Sequence, residues 1–189
     1  MSEKFLLLAL FFFGVLLFGV LNQKGGGRFN FYTPLDSLVP FAPVFSIPYL
    51  LLFPYIAFAG VVLFRTEYAS PYYASMAFAM CSAAVVWFLF PSKMARPPVS
   101  KKKFFEKIVF KIYEGDSHAN AFPSSHVFTS LITTYFLALE YPAAALPLAV
   151  LGASVAASTV LIKQHFAVDV VAGAVWAYAG IGVALIFFA

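Results

Sequence analysis

Charge is scarce in this chain: only 11% of its 189 residues are Asp, Glu, Lys or Arg, less than half the share of about 25% usual in soluble domains. Without that charge, a chain of this length has too little polar surface to face water all round, so an ordinary water-soluble domain is excluded. Cysteine is scarcer still. Cys81 is the single one and lies inside an apolar run, which excludes a disulfide within the chain and leaves the redox compartment open. Repeats and low-complexity tracts are also missing, so residues 1–189 read as one domain, with a motif-bearing core over about 91–173.

What is abundant is apolar. Such residues make up 62% of the chain, and Phe alone contributes 24. The solvent for much of the chain is therefore lipid. The net charge of +4 suits anionic headgroups or phosphate substrates. It would suit nucleic acid too, but no soluble basic domain is present to carry one, so no nucleic-acid partner is expected.

A helix needs about 20 apolar residues to span a bilayer. Six stretches qualify: residues 5–21, 46–64, 72–90, 127–141, 143–162 and 166–189. The fourth is short and must borrow from Pro123 to His126. Pro142 marks a tight turn between the fourth and fifth. Pro48 and Pro54 fall inside the second, where neighbouring helices can satisfy the freed backbone groups. The first could instead be a secretory signal led by Lys4, but the following Gln23-Lys24-Gly25-Gly26-Gly27 offers no small-x-small cleavage pattern and five more spans follow. The expected fold is all-α: a polytopic helical membrane bundle of about six transmembrane helices with an interfacial amphipathic helix. In an up-and-down arrangement, segments 23–45, 91–126 and 163–165 share one membrane face, which carries almost all the polar chemistry.

The interfacial helix is read from Lys101-Lys102-Lys103-Phe104-Phe105-Glu106-Lys107-Ile108-Val109-Phe110-Lys111-Ile112. Phe104, Phe105, Ile108, Val109 and Ile112 fall on one helical face with lysines mostly opposite, the pattern of a helix lying among headgroups rather than a solvated basic linker.

Three places hold polar groups that a lipid-facing helix would not keep. The first is Lys93-Met94-Ala95-Arg96-Pro97; by themselves these cations could merely snorkel to the interface. The second is Asn120-Ala121-Phe122-Pro123-Ser124-Ser125-His126. Pro123 suits the first position of a helix, and the N–H groups of Ser124, Ser125 and His126 would then lack intrahelical acceptors and favour an anion. An ordinary cap accounts for a serine here, but not for His126 at the edge of a membrane span. The third runs from Ser158-Thr159 to Lys163-Gln164-His165-Phe166-Ala167-Val168-Asp169. If the sixth span begins near His165, then His165 and Asp169 share a helical face. A carboxylate beside an imidazole fixes its tautomer and stabilises its positive charge, and an ionisable group in a membrane segment is a functional candidate. A structural pair joining two helices is the competing reading.

The order Lys…Arg-Pro, Pro-Ser-x-His, Ser…His-x-x-x-Asp resembles the type 2 phosphatidic acid phosphatase superfamily, whose membrane branch has six spans. By motif the resemblance covers about residues 93–173. The phrase from Asn120 to Val127 and that from Lys163 to Val170 look most like its inositol phosphorylceramide synthase-like and sphingomyelin synthase-like transferases. The chain departs from the family pattern in three ways. Lys93 and Arg96 are separated by two residues rather than the usual six, Ser125 stands where Gly is frequent, and Thr159 stands where an Arg usually grips phosphate. Lys163 is the expected substitute, a point charge in place of a bidentate fork.

The resemblance implies His165 as nucleophile, Asp169 orienting it, and His126 as general acid and then base. Lys93, Arg96, Lys163, Ser124 and Ser125 would bind the phosphate. No cofactor and no metal enter that scheme. A metal reading through Asp116, His118, His126, His165 and Asp169 remains, but these lack the spacing of a zinc site. The expected partner is a phosphorylated lipid in the bilayer. Water as acceptor makes a lipid phosphatase, toward which the short chain leans the expectation. A lipid hydroxyl makes a phosphotransferase, and a non-catalytic lipid transporter is the third reading. Oligomeric state stays open. Ten of the 12 Lys and Arg fall on the active face, which by the positive-inside rule is cytoplasmic. Relatives imply an extracytoplasmic site, and several of those cations would be phosphate ligands or lie on the interfacial helix, so an extracytoplasmic site in a multi-pass cell-membrane protein is expected.

Overall fold

The computed structural model describes residues 3–22 and 27–188. Among these the chain forms eight α-helices, two short 3₁₀ turns and no named strand. Lipid cannot satisfy backbone N–H and C=O groups, so apolar segments within it must close their hydrogen bonds internally. Five helices are long and apolar enough to cross a membrane: α1 (Glu3–Asn22), α3 (Ser46–Leu63, extended by the turn Pro43–Phe45), α4 (Ala69–Leu89), α7 (Ala145–Leu161, entered through the turn Pro142–Ala144) and α8 (Ala167–Phe188). The short α2 (Pro34–Leu38) and the amphipathic α5 (Phe104–Glu114) lie in the connections.

The fourth expected span is a different kind of element. It is α6, Ser125–Glu140, with 16 residues, so at 1.5 Å per residue it is about 24 Å long, shorter than a hydrocarbon core of about 30 Å. It sits in the middle of the bundle, packed on α3, α4, α7 and α8, with Phe128, Ile132, Phe136 and Leu137 fully buried. A helix enclosed by protein does not have to match the bilayer, because its ends meet polypeptide rather than lipid. Two of its hydroxyls are absorbed locally: Thr129 donates to the Ser125 carbonyl at 2.6 Å and Ser130 to that of Val127 at 3.0 Å.

Close helix crossings fix the frame. Gly173 of α8 lies against the start of α6, where an added Cβ would come within 2.8 Å of the Ser124 carbonyl oxygen and of Val127 Cβ. The peripheral α1 lies along α4 and leaves Phe5, Leu6 and Leu16 exposed to lipid. At the polar end, the connections form one layer. The N–H groups of Arg28 and Phe29 donate to the Pro91 carbonyl, that of Met94 to His118, that of Asn120 to Ser92, and that of Ala42 to Leu161. Residues 27–45, 90–124 and 162–166 therefore do share one end of the bundle. Residues 23–26, part of the segment weighed for a cleavage site and bearing Lys24, lie outside the described residues, as does Ala189. In α5, Val109 is buried with Tyr49 and Ile162, while Lys107, Lys111 and Phe104 are exposed, the two-faced character expected from its sequence. The helix starts at Phe104, so Lys101 to Lys103 lie just before it.

Candidate active site

The two polar motifs meet where α6 and α8 begin. The start of α8 lies two residues beyond His165, which corrects the expectation of a shared helical face: His165 is in the turn before the helix and Asp169 in its first turn. What joins them is a cap. Asp169 Oδ2 accepts the Phe166 N–H at 2.8 Å and faces His165 Nδ1 at 3.5 Å. The first is a full hydrogen bond; the second is a contact longer than one. Asp169 is fully buried and its Oδ1 has no hydrogen-bond partner. With Nδ1 turned to the carboxylate, Nε2 is the nitrogen of His165 that faces away from Asp169.

The start of α6 also differs from the sequence reading. Pro123 precedes the helix rather than opening it, and Ser124 is the N-cap, its hydroxyl accepting the Val127 N–H at 3.4 Å. The Ser124 N–H donates to the Asp169 carbonyl at 3.1 Å, so Ser124 ties α6 to α8 with its backbone, while its hydroxyl, an acceptor from Val127, keeps its own hydrogen to donate. Ser125 and His126 remain in the first turn, where N–H groups have no intrahelical acceptor. The His126 ring stacks on Tyr49 with centroids 4.3 Å apart and lies 5.7 Å from that of His165. Both its nitrogens are buried without a hydrogen-bond partner.

The cations divide. Arg96 is held tightly: Nη1 donates to the Tyr113 carbonyl at 3.2 Å and the Asp116 carbonyl at 3.1 Å, and Nη2 reaches Asp116 Oδ2 and Gln164 Oε1. Its guanidinium also lies 4.8 Å from the Tyr113 ring centroid. Burial opposes ionisation of Asp116, but hydrogen bonds from Asn22 and Arg96 together with the Arg96 charge hold its carboxyl below the ordinary value. Burial, reinforced by Arg96, lowers His118. Burial pushes the Tyr113 hydroxyl up to about 12 against the pull of Arg96, and that hydroxyl donates to the Ile162 carbonyl at 2.6 Å.

Lys163, with a positive φ of 56°, turns its ammonium to the carbonyls of Val39 at 2.5 Å and Asp36 at 3.2 Å. It lines the same pocket as Arg96 and His165 but is anchored on backbone. Lys93 is exposed, its backbone bridged to Ala119, and it lines neither of the two cavities below, so the structure does not gather it with the others. Among the described residues, no three His, Cys, Asp or Glu side chains are grouped so as to hold a metal ion.

Sequence reasoning missed several residues of this cluster. Asp36 bonds the first N–H of α8, that of Ala167, at 2.7 Å, so two carboxylates, Asp36 and Asp169, occupy that positive helix end. Gln164 and Tyr49 were not singled out, and Asp116 entered only as a possible metal ligand. The one available signal was the position of Gln164 between Lys163 and His165; nothing distinguishes Tyr49 among ten tyrosines.

Each of the two histidines lines a different cavity. A polar one of about 550 Å³ is lined by Tyr32, Asp36, Arg96, Lys163 and His165, among others. An apolar one of about 820 Å³ runs between α1, α3 and α4 and ends on Ser125, His126 and Thr129.

An all-helical bundle with five membrane-length helices defines an integral membrane protein, and the imidazole–carboxylate pair beside a second imidazole is its candidate site. The family model of the PAP2 superfamily matches residues 70–189, and the chain belongs to that superfamily, the type 2 phosphatidic acid phosphatases and their kin. Membership makes it an enzyme of the phosphatase and phosphotransferase class, acting on phosphorylated substrates. No curated protein and no solved structure matches the chain.

Proposed function

We propose that the protein is a membrane lipid phosphatase that hydrolyses a lipid phosphate monoester or diphosphate through a phospho-histidine on His165. The observation that carries this reading is the placement of His165 and His126, centroids 5.7 Å apart, at the seam between a polar and an apolar cavity. That seam suits a substrate with a charged head and a hydrocarbon tail.

In the proposed sequence, His165 Nε2 attacks phosphorus as the bond to the lipid oxygen breaks, and protonated His126 gives its proton to that oxygen. Asp169 holds the His165 tautomer and stabilises positive charge on the ring. Neutral His126 then takes a proton from water, whose oxygen attacks phosphorus; the P–N bond breaks and inorganic phosphate leaves. Arg96, Lys163 and the first-turn N–H groups of Ser125 and His126 stabilise charge on the non-bridging oxygens. Arg96 reaches phosphate by exchanging part of its hold on Asp116 and Gln164. Lys93 keeps only a longer-range electrostatic part.

The apolar cavity beside His126 also favours a second reading, in which a lipid hydroxyl replaces water and the phospho-headgroup is transferred. Inorganic phosphate and lipid product should be measured together over a panel of phosphorylated lipids. The phosphatase reading expects stoichiometric phosphate release. Lipid product without free phosphate would establish the transferase, and lipid binding unaffected by His165→Ala, with no turnover in the parent protein, would establish a transporter.

A further inference from the structure

The apolar cavity has a direction. At one end it meets Ser125, His126 and Thr129, and Thr129 spends its hydroxyl on the Ser125 carbonyl. From there it follows α3 from Leu52 and Phe53 to Phe64 and Arg65, a rise of about 17 Å from Phe53 to Phe64 at 1.5 Å per residue. That far end is closed. Lys4 Nζ donates to the Phe64 carbonyl at 3.2 Å, and the Phe5 and Phe64 rings meet at 5.5 Å. The side is open: α1 packs along α4 whereas α3 packs on α6 and α7. The cavity rim between α1 and α3 carries Phe12 (59% exposed) and Val61 (76% exposed). The opening therefore lies within the apolar length of the bundle and faces lipid.

We infer that this cavity takes one hydrocarbon chain of the phosphorylated lipid, admitted sideways from the bilayer between α1 and α3, and that its closed end at Phe64 limits the chain length. The inference rests on the phosphatase reading and deepens it. Three observations converge on this occupant. The volume of about 820 Å³ lies within the range of ligand cavities, about 300–1,000 Å³. The two unpartnered nitrogens of His126 sit at the one end where a phosphate ester would join the chain. The other end is closed by the contact of Lys4 with Phe64, and Arg65, the charged residue that lines it, is exposed. Where the lipid has another chain, that chain stays in the bilayer outside the opening.

Gly60 lines the cavity toward its closed end, and a Cβ there would meet only the Tyr73 hydroxyl at 3.6 Å, an ordinary contact. Gly60→Phe fills that end, and Gly60→Ala is the mild companion should the larger variant fail to fold. The readout is the ratio of kcat/KM for long over short straight-chain alkyl monophosphates in detergent micelles. Gly60→Phe should lower it at least about tenfold, with Gly60→Ala in between. An unchanged ratio in a folded, active Gly60→Phe protein would overturn the inference.

A second measurement holds even if no ester is turned over. An alkyl phosphate with a photoreactive diazirine at its chain end should label α3 near Gly60 and Phe64. Excess unlabelled alkyl phosphate should compete, and the corresponding alkyl alcohol should not. Label confined to the outer faces of α7 and α8, or displaced equally by the alcohol, would contradict it. Failure of turnover with correct labelling would sink the phosphatase reading alone.

Discussion

Arg96 is bound from several directions at once. Asp116 and Gln164 meet it from the side, two backbone carbonyls meet it from α5 and the loop beyond, and the Tyr113 ring lies against it. Its side chain is 3% exposed and that of Asp116 30%, so the pair is part-buried and its worth falls between the surface and interior limits. Because the folded state lowers the Asp116 pKa below 3.8, the unfolded chain takes up that proton first as pH falls. The contribution is complete above the ordinary carboxylate value and is lost as pH falls through the folded one. Asp116→Asn should therefore lower stability by about 1–3 kcal/mol at neutral pH. It should also flatten the drop in unfolding temperature of detergent-solubilised protein below about pH 4; identical acid profiles for the two proteins would contradict this. Such a partner is illegible in the sequence. Arg96 and Asp116 are twenty residues apart with no periodic relation, and only the layer of connecting segments brings them together. His165 and Asp169 were legible as a pair from spacing, yet for a reason that changed, since a capping carboxylate rather than a helical face joins them.

At the scale of elements, the site depends on how α6 and α8 begin. Their starts are stitched by the Ser124 N–H on the Asp169 carbonyl and by the close passage of Gly173 over Ser124 and Val127. Gly173→Val would drive a branched side chain into that crossing. Overpacking of this kind costs about 1–3 kcal/mol, and it should also move His126 relative to His165. A loss in kcat of at least about tenfold, together with a lower unfolding temperature, is expected from kinetics and thermal unfolding. Unchanged kcat would show that the crossing does not set the site. The apolar runs made all six bundle helices visible in advance, and an apolar helical face opposite lysines did the same for α5. What hydropathy could not show is that α6 is enclosed. A run such as Val127 to Tyr141 looks alike whether lipid or protein surrounds it, and only its short length hinted at the difference.

Over the whole molecule, the polar connections form one layer while Lys4 and Arg65 lie at the other end, beside Phe64. The extracytoplasmic orientation proposed for the active face is open to direct labelling. With Cys81 replaced and Lys102→Cys introduced just before α5, a membrane-impermeant maleimide should label intact cells; labelling only after lysis would reverse the orientation. The central claim is chemical and independent of orientation: phosphorus passes through His165. The most direct measurement is an alkaline quench of the protein turning over a phosphorus-labelled lipid phosphate, followed by peptide mapping. The account predicts base-stable, acid-labile label on the peptide bearing His165, and its loss along with turnover, by roughly 10³-fold or more, in a folded His165→Asn protein. Turnover that survives His165→Asn, or label on any other residue, would contradict it.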